Sequence, residues 1–506
     1  MIIDAAAIRP RRCFCMLGLR SVKKLWQDEA GVVLPYVAIT LIAIVGLAAL
    51  AIDGSRLMSV QSQLQNAADA LALAGATELD RRPDSIARAQ SAIADLIANP
   101  VTGTGIRQTA QVAAVDFLQS LPPNDDLPIA SNNLTDDPTL AAYVQVTVKP
   151  ASMLTLFPLS LASGRSTMRI GAQSVAGYDQ IICNATPLYV CNPFEAPGMT
   201  YYQATQALVE ADRNPASQRR LIRLAGTQFG NGAYGAGTTG YITADTGSLP
   251  NAGCGPGAGF GVPQALAASQ VRACFRLSAV NLLSSQDQLA TDGLNTRFDI
   301  YAHQFANCRI YAPDVNVRKG FQAPGNVNWC DAEPVVLTWP IPSPIGAALS
   351  PDQNMIRADG TFDPAVAVGN GVWNCAAYWS AAHAVGAGKN APPPGCTAAA
   401  TISRYSVYSY EMNLLADRSL SAEFGGPRCA PPGEANRRTV VAAIVNCGSN
   451  PVPMHADARG VPATAFGRFF LVLPAQPQTN GNLYAEFLGL VKRSDALSKD
   501  LVQLYR

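Results

Sequence analysis

One stretch limits what the rest of the chain can become. Val32 to Ile52 reads VVLPYVAITLIAIVGLAALAI, an uncharged run of twenty-one residues. A helix rises about 1.5 Å per residue and a bilayer's hydrocarbon core is about 30 Å thick, so the run is long enough to cross it. Core helices of water-soluble proteins rarely stay apolar on every face for so long. Pro35 falls in the first turn, where a missing N–H costs little. Residues 32–52 are therefore expected to form a transmembrane helix.

The flanks supply an orientation. Arg9, Arg11, Arg12, Arg20, Lys23 and Lys24 precede the run, whereas Asp53 and Arg56 are the charges just after it. The positive-inside rule makes residues 1–31 a cytoplasmic basic tail and exports everything beyond Ile52. Ala49-Leu50-Ala51 offers a small-x-small cleavage site. The long basic region and an apolar run beyond the usual 7–15 residues instead point to a retained anchor. Arg11-Arg12-Cys13-Phe14 resembles a twin-arginine signal, but Lys23 and Lys24 separate it from the apolar run, as an ordinary basic flank would. Met16 is a second start that would delete that motif.

The remaining composition suits an exported, loop-rich chain. Charged residues make up 14% against a usual value of about 25%, with 41 Gly and 36 Pro. A formal net charge of +1 argues against a nucleic-acid binder, which shows a basic face. Cys13 and Cys15 precede the span. Ten more follow it, Cys183, Cys191, Cys254, Cys274, Cys308, Cys330, Cys375, Cys396, Cys429 and Cys447, and these are disulfide candidates in an oxidising compartment. Paired as sequential neighbours they would be 8, 20, 22, 21 and 18 residues apart. Sequence does not choose among the many possible pairings. Zinc is disfavoured, because no CxxC occurs and His303, His383 and His455 lack ligand spacing.

After Asp53-Gly54-Ser55 the pattern turns amphipathic. Leu57, Val60, Leu64, Ala67, Ala68, Leu71 and Ala74 follow helical spacing, with no proline between residues 36 and 82. The membrane helix is thus expected to continue outside as a stalk. Its small-residue seam is read mainly as packing on its own domain, with a partner helix as the sharper alternative. Pro83-Asp84-Ser85 opens a second helix that Asn99-Pro100 stops. Strands are expected at 107–119, 143–149 and 166–176, and a short helix at MLTLFPL (153–159). Residues 53–178 read as a small α+β domain on the stalk, and 179–506 as a Cys-rich extracytoplasmic domain. The fold class is α+β: one N-terminal transmembrane helix, an amphipathic stalk, a small α+β domain, then a disulfide-rich mixed α/β ectodomain.

In that ectodomain, helices are expected at 202–212 and 264–290, and strands at 295–305, 405–410, 440–445 and 469–473. A last amphipathic helix is expected from Ser494 to Tyr505. The Gly-rich 226–261 reads as loop. Its formal G-x-G-x-x-G, Gly230 to Gly235, lacks the helix that a dinucleotide site needs after it. Asp359-Gly360-Thr361-Phe362-Asp363 lacks the EF-hand spacing and reads as a solvated turn.

The combination DEAG, an apolar span, AIDGSRL and QLQNAADALALAGA resembles the N-terminal region of TadG-like Flp pilus-assembly proteins of the bacterial tight-adherence system. The resemblance runs over residues 26–79 and extends to about 178. CNPFE (Cys191 to Glu195) and the terminal VQLYR are similar to longer members. It implies a single-pass inner-membrane protein, N-terminus cytoplasmic and bulk periplasmic, serving pilus biogenesis beside other pilus-assembly proteins rather than catalysis. Many members carry a von Willebrand A-type domain whose metal site needs Asp-x-Ser-x-Ser. Asp53-Gly54-Ser55-Arg56-Leu57 breaks that pattern, so no metal site is carried over. Pilin-like relatives are cut after a Gly with Glu five residues on, whereas Gly31 has Tyr36 there.

No catalytic motif occurs with its supporting context. His303 near Asp299 is the best available base, and a structural histidine is its ordinary role. The sequence therefore points to a non-enzymatic envelope scaffold without cofactor, acting through protein contacts, in part through the helix at 57–79. A surface adhesin or secreted binding protein is the alternative, and a periplasmic hydrolase stands further off.

Overall fold

The computed structural model describes residues 33–96, 100–102, 104, 108–122, 124, 127–156, 167–226, 238–243, 261–269, 271, 273–283, 288–301, 305, 310–316, 349–359, 363, 365–382, 391–416, 434–455, 458–476 and 482–505. The chain forms two compact units, one from residues 1–67, 98–111 and 148–172, the other from 68–97, 112–147 and 173–506.

The first unit takes most of helix α1 (Val33–Ala76), which is continuous through the predicted stalk. It also holds the short antiparallel pair β1 (Pro100–Val101) and β2 (Gln108–Thr109). Gln63 binds the neighbouring backbone on both sides: Thr102 N–H donates to its Oε1 at 2.8 Å, and its Nε2 donates to the Thr102 carbonyl at 3.4 Å.

The second unit begins with the end of α1 and helix α2 (Ser85–Asp95), which buries Ser85, Ala89 and Ile93, one residue per turn. Gly75 lets the two helices close. A Cβ there would lie 2.6 Å from Ile93 Cδ1. Arg88 ties the turn between the helices through Glu78, Asp80 and Asp84.

Two sheets follow. The first runs β14 (Ser498–Leu504), β5 (Thr167–Cys183), β4 (Tyr143–Leu154), β3 (Val112–Leu118), with β9 (Cys274–Arg276) also on β5. In β4 the alternation is strict: Val144, Val146 and Val148 are buried, and Tyr143, Gln145 and Thr147 are half-buried. The predicted helix at 494–505 is corrected here. Residues 498–504 pair with 176–182 of β5, because the long edge of β5 offers unmatched backbone groups that an extended tail satisfies. The expected helix at 153–159 is likewise corrected where it is described, since Met153 and Leu154 end β4.

The second sheet has the order β10 (Asn281–Leu283), β8 (Thr238–Thr243), β6 (Leu188–Cys191), β11 (Thr439–Val445), β12 (Ala465–Gln476), β13 (Asn482–Leu490), β7 (Leu221–Gly226). Its central strand β11, TVVAAIV, is buried on both faces, which explains an apolar run without alternation. Val440, Ala442 and Ile444 join Phe469 and Leu471 in one core with Leu208, Leu266 and Leu294. Val441, Ala443 and Val445 face a second core with Phe275, Leu277 and Phe466. A third core gathers Trp373, Tyr378, Tyr408, Phe470 and Tyr484.

Helix α3 (Tyr201–Arg213) covers the predicted 202–212 and opens with a capping box between Thr200 and Gln203. The short α4 (Pro215–Gln218) follows it. Three other expectations fail. Residues 264–290 are not one helix: α5 (Val262–Ala267) stops at an extended Ala268, and α6 (Gln288–Asn295) starts anew. Between them Val271, Ala273, Phe275 and Leu277 recur every second residue and are buried, a strand period. The predicted strand at 295–305 is instead the end of α6 and a 3₁₀ turn, Thr296–Phe298, closed by Asp299 at φ 58°. The predicted strand at 405–410 lies inside helix α8 (Arg404–Ala416), which follows α7 (Cys375–Ala382). Helix α8 is captured at its start, where Glu486 accepts from the N–H groups of Arg404 and Tyr405 and Ser403 Oγ from that of Ser406. Within 226–261, Thr238–Thr243 is strand β8 rather than loop, while Gly230 to Gly235 lies outside the described residues.

Three disulfides are present among the described residues: Cys183–Cys274, Cys191–Cys447 and Cys375–Cys396. Neighbour pairing therefore holds for Cys375–Cys396 alone of these. The sheets decide the others: the β5–β9 register sets Cys183 opposite Cys274, and the parallel β6–β11 pairing matches Cys191 with Val445, two residues before Cys447. Cys254, Cys308, Cys330 and Cys429 lie outside the described residues.

Candidate functional site

Helix α1 changes character along its length, and that change makes it the candidate site. From Val33 to Ile52 its large side chains face outward, with Leu34 78% and Ile42 72% exposed. It is long and apolar enough to cross a membrane, and none of its most apolar window is buried within the chain. Water would meet that surface at a cost of about 25 cal/mol per Å².

Asp53 marks the change. Its carboxylate is buried, takes the Leu156 N–H at 2.7 Å and pairs with Arg56 at 3.3 Å. Beyond it, Val60, Leu64, Ala67, Ala68 and Leu71 are buried within the chain, and Leu57 and Ala74 are half-buried. These seven were the expected partner-helix positions. Five of them are buried within the chain.

The exposed side of the same helix borders a groove of about 580 Å³, lined by Leu57, Met58, Gln61, Ser62, Gln65 and Asn66 with Arg169, Ile170 and Gly171 of β5. Its amides and hydroxyl are suited to hydrogen-bonding a polypeptide. No side chain in it has the nucleophile–base pairing that covalent catalysis requires. A smaller groove of about 230 Å³ lies in the second unit between Arg82, Asp84, Gln206, Glu210 and Arg213.

Two clusters of buried ionisable groups lie elsewhere. Arg404 donates to Asp352 at 2.6 Å and to Glu486 at 3.3 Å, and all three are inaccessible. Burial pushes the Glu486 carboxyl up to about 7, against the pull of Arg404 and two backbone N–H groups. Tyr408 donates to Asp314, whose carboxylate also takes the Arg438 N–H at 3.1 Å; burial raises both the Asp314 and Tyr408 pKa values. Arg438 is spread over carbonyls of Leu471 and Val472 and lies 4.6 Å from the Phe470 ring. Shifts of this kind often mark catalytic groups. Here they sit between α8 and the sheet with their hydrogen bonds closed on one another, so they hold helix to sheet.

Sequence reasoning missed these clusters. Asp352, Arg404 and Glu486 are dispersed along the chain, and no local spacing announces them. Of the histidines, His455 is exposed, while His303 and His383 lie outside the described residues. Among the described residues no group of three or more His, Cys, Asp or Glu is placed to hold a metal.

Compared with known proteins, residues 31–78 match the TadE/G-like Flp pilus-assembly family. The match begins at the apolar run and ends just past α1, so it covers the exposed segment, the Asp53 junction and the helical side of the groove. No curated protein and no solved structure matches the chain.

Proposed function

On the match of residues 31–78 to a pilus-assembly family, we propose that this chain is a membrane-anchored, non-enzymatic component of a Flp-type pilus system acting through protein contacts in the envelope. The match supports involvement in Flp pilus assembly, and it is the observation that carries the reading. The exposed apolar half of α1 supports the anchor. The basic residues ahead of it support a cytoplasmic N-terminus, and the disulfides support an oxidising compartment for the bulk of the chain. Contacts with other assembly proteins fall to the exposed side of α1 beyond Asp53, since Val60, Leu64, Ala67, Ala68 and Leu71 are buried there.

Deleting the gene is expected to abolish pili and surface attachment. The chain should fractionate with the inner membrane and resist carbonate extraction. Val45→Arg, costing about 2.5–3.5 kcal/mol at the centre of a span, should move it out of the membrane fraction. Pili that persist without the gene would refute the assembly role. A mature N-terminus near Ile52 would transfer the protein to the alternative class of released adhesin or binding protein.

A further inference from the structure

Scattered single leucines on a surface need no explanation. Leu154 and Leu156 differ, because the structure fixes where they lie. They end β4 and begin its connection to β5, and they are 43% and 59% exposed. A polar side chain would serve as well at a strand end in water. The Leu156 N–H donates to the Asp53 carboxylate at 2.7 Å, and Leu154 is held one step back by its N–H to the Thr104 carbonyl at 3.1 Å. Asp53 directly follows the last residue of the exposed apolar segment.

If Val33 to Ile52 spans the hydrocarbon core, its twenty residues cover about 30 Å, which leaves Asp53 in the headgroup layer, itself about 5–7 Å deep. The hydrogen bond then places the Leu156 backbone at that same depth. Met58, five residues further along α1, is 76% exposed and adds to the apolar surface of this unit.

We propose that the end of β4, with Leu154 and Leu156, rests in the interfacial layer of the bilayer beside the exit of α1, so that phospholipid is its partner. The inference rests on the reading of α1 as a membrane span. Asp53 is the fastener: its buried carboxylate holds the strand end against the helix and satisfies a backbone donor that would otherwise enter the interface unpaired. The membrane is then gripped by a helix and by a strand end, which fixes how α1 leaves the bilayer. Lipid is favoured over a protein partner because the Leu156 backbone is bonded to Asp53, the residue that directly follows the exposed apolar segment of α1.

The test uses the full chain with Trp26→Phe, reconstituted in phosphatidylethanolamine and phosphatidylglycerol vesicles. Single tryptophans replace Val45, Leu156 or Leu504, an exposed residue of the second unit. L156W should lose most of its added emission to lipids brominated near the headgroup. V45W should respond best to lipids brominated deep in the chain, and L504W to neither. If V45W is quenched and neither L156W nor L504W is, the end of β4 lies in water and the proposal is overturned while the span stands. If V45W is not quenched, the span falls and the proposal with it. Equal quenching of L156W and L504W would mean general adsorption. A blue shift of L156W that follows protein density without lipid quenching would assign the patch to a second copy. Either result also overturns the proposal.

Discussion

The exposed half of α1 and the interior behind β12 and β13 place opposite chemistries where they are least expected. Along α1, Leu34, Ile42 and Leu47 point away from the protein, whereas Arg404, Arg438 and Glu486 are enclosed by it. Each arrangement is tolerable for its own reason. Outward leucines are stable in a solvent as apolar as themselves, and inward charges are stable where every donor finds an acceptor. Residue type alone therefore does not say which side of a surface a side chain occupies. The first region finds no cover within the chain, and the second is held by buried partners.

That contrast can be broken in graded steps by urea titration of the detergent-solubilised chain, followed through the emission of buried Trp373 and Trp379. Removing Cys191–Cys447, which spans 256 residues, should cost about 5 kcal/mol in the loop-entropy account. Removing Cys375–Cys396, 21 residues apart, should cost about 3 kcal/mol. Equal losses would mean that chain closure does not govern the Cys-rich unit.

Arg404→Met strands two buried carboxylates and is expected to cost about 3–5 kcal/mol; adding Glu486→Leu should recover part of it. A loss below about 1 kcal/mol, the scale of an exposed ion pair, would remove the contrast drawn above.

The third step is a pH profile. Folding raises the Glu486 pKa from an ordinary 4.5 to about 7, so the folded state holds this proton more tightly than the unfolded chain. Its contribution is complete below about pH 4.5 and is lost as pH rises through about 7, a change of about 3 kcal/mol. Stability of the wild-type protein should fall over that window, and Glu486→Gln should flatten the fall.

Smaller effects belong to α1. Gly75→Ala would drive a Cβ to 2.6 Å from Ile93 Cδ1 and should cost about 1–3 kcal/mol, with Ile93→Val restoring part of it. Asp53→Ala releases the Leu156 N–H, and amide exchange there should quicken about fivefold, equivalent to about 1 kcal/mol. An unchanged exchange rate would show that this hydrogen bond does not hold the strand end.

Periodicity revealed the elements whose surroundings match their local pattern. The α1 run, a second helix opening at 83–85, the alternation of β4 and a strand over 440–445 were all readable, because each follows from residues close together in sequence. Failures came where a distant partner overrode local preference. Tyr405, Val407 and Tyr408 have strand-like composition, yet the Glu486 carboxylate captures the first N–H groups of α8 and starts a helix. Leu497, Leu501 and Leu504 have helical spacing, yet the edge of β5 takes the tail as a strand. The groove beside α1 was half legible. Its helical side is the face left over by the helical spacing of Val60, Leu64 and Ala67, but Arg169, Ile170 and Gly171 arrive from β5.

By itself the sequence determined that the chain carries one long apolar helix, that this helix continues as an amphipathic one, and that ten cysteines follow it. Those properties depend on neighbours within a few turns, and the 3.6-residue period records them directly. Only the tertiary structure decided which cysteines pair, which charges are buried, and that Asp53 meets Leu156 at a sequence separation of 103. Contacts between distant residues are set by sheet register and by the need to satisfy each buried polar group, and neither leaves a local trace in the order of amino acids.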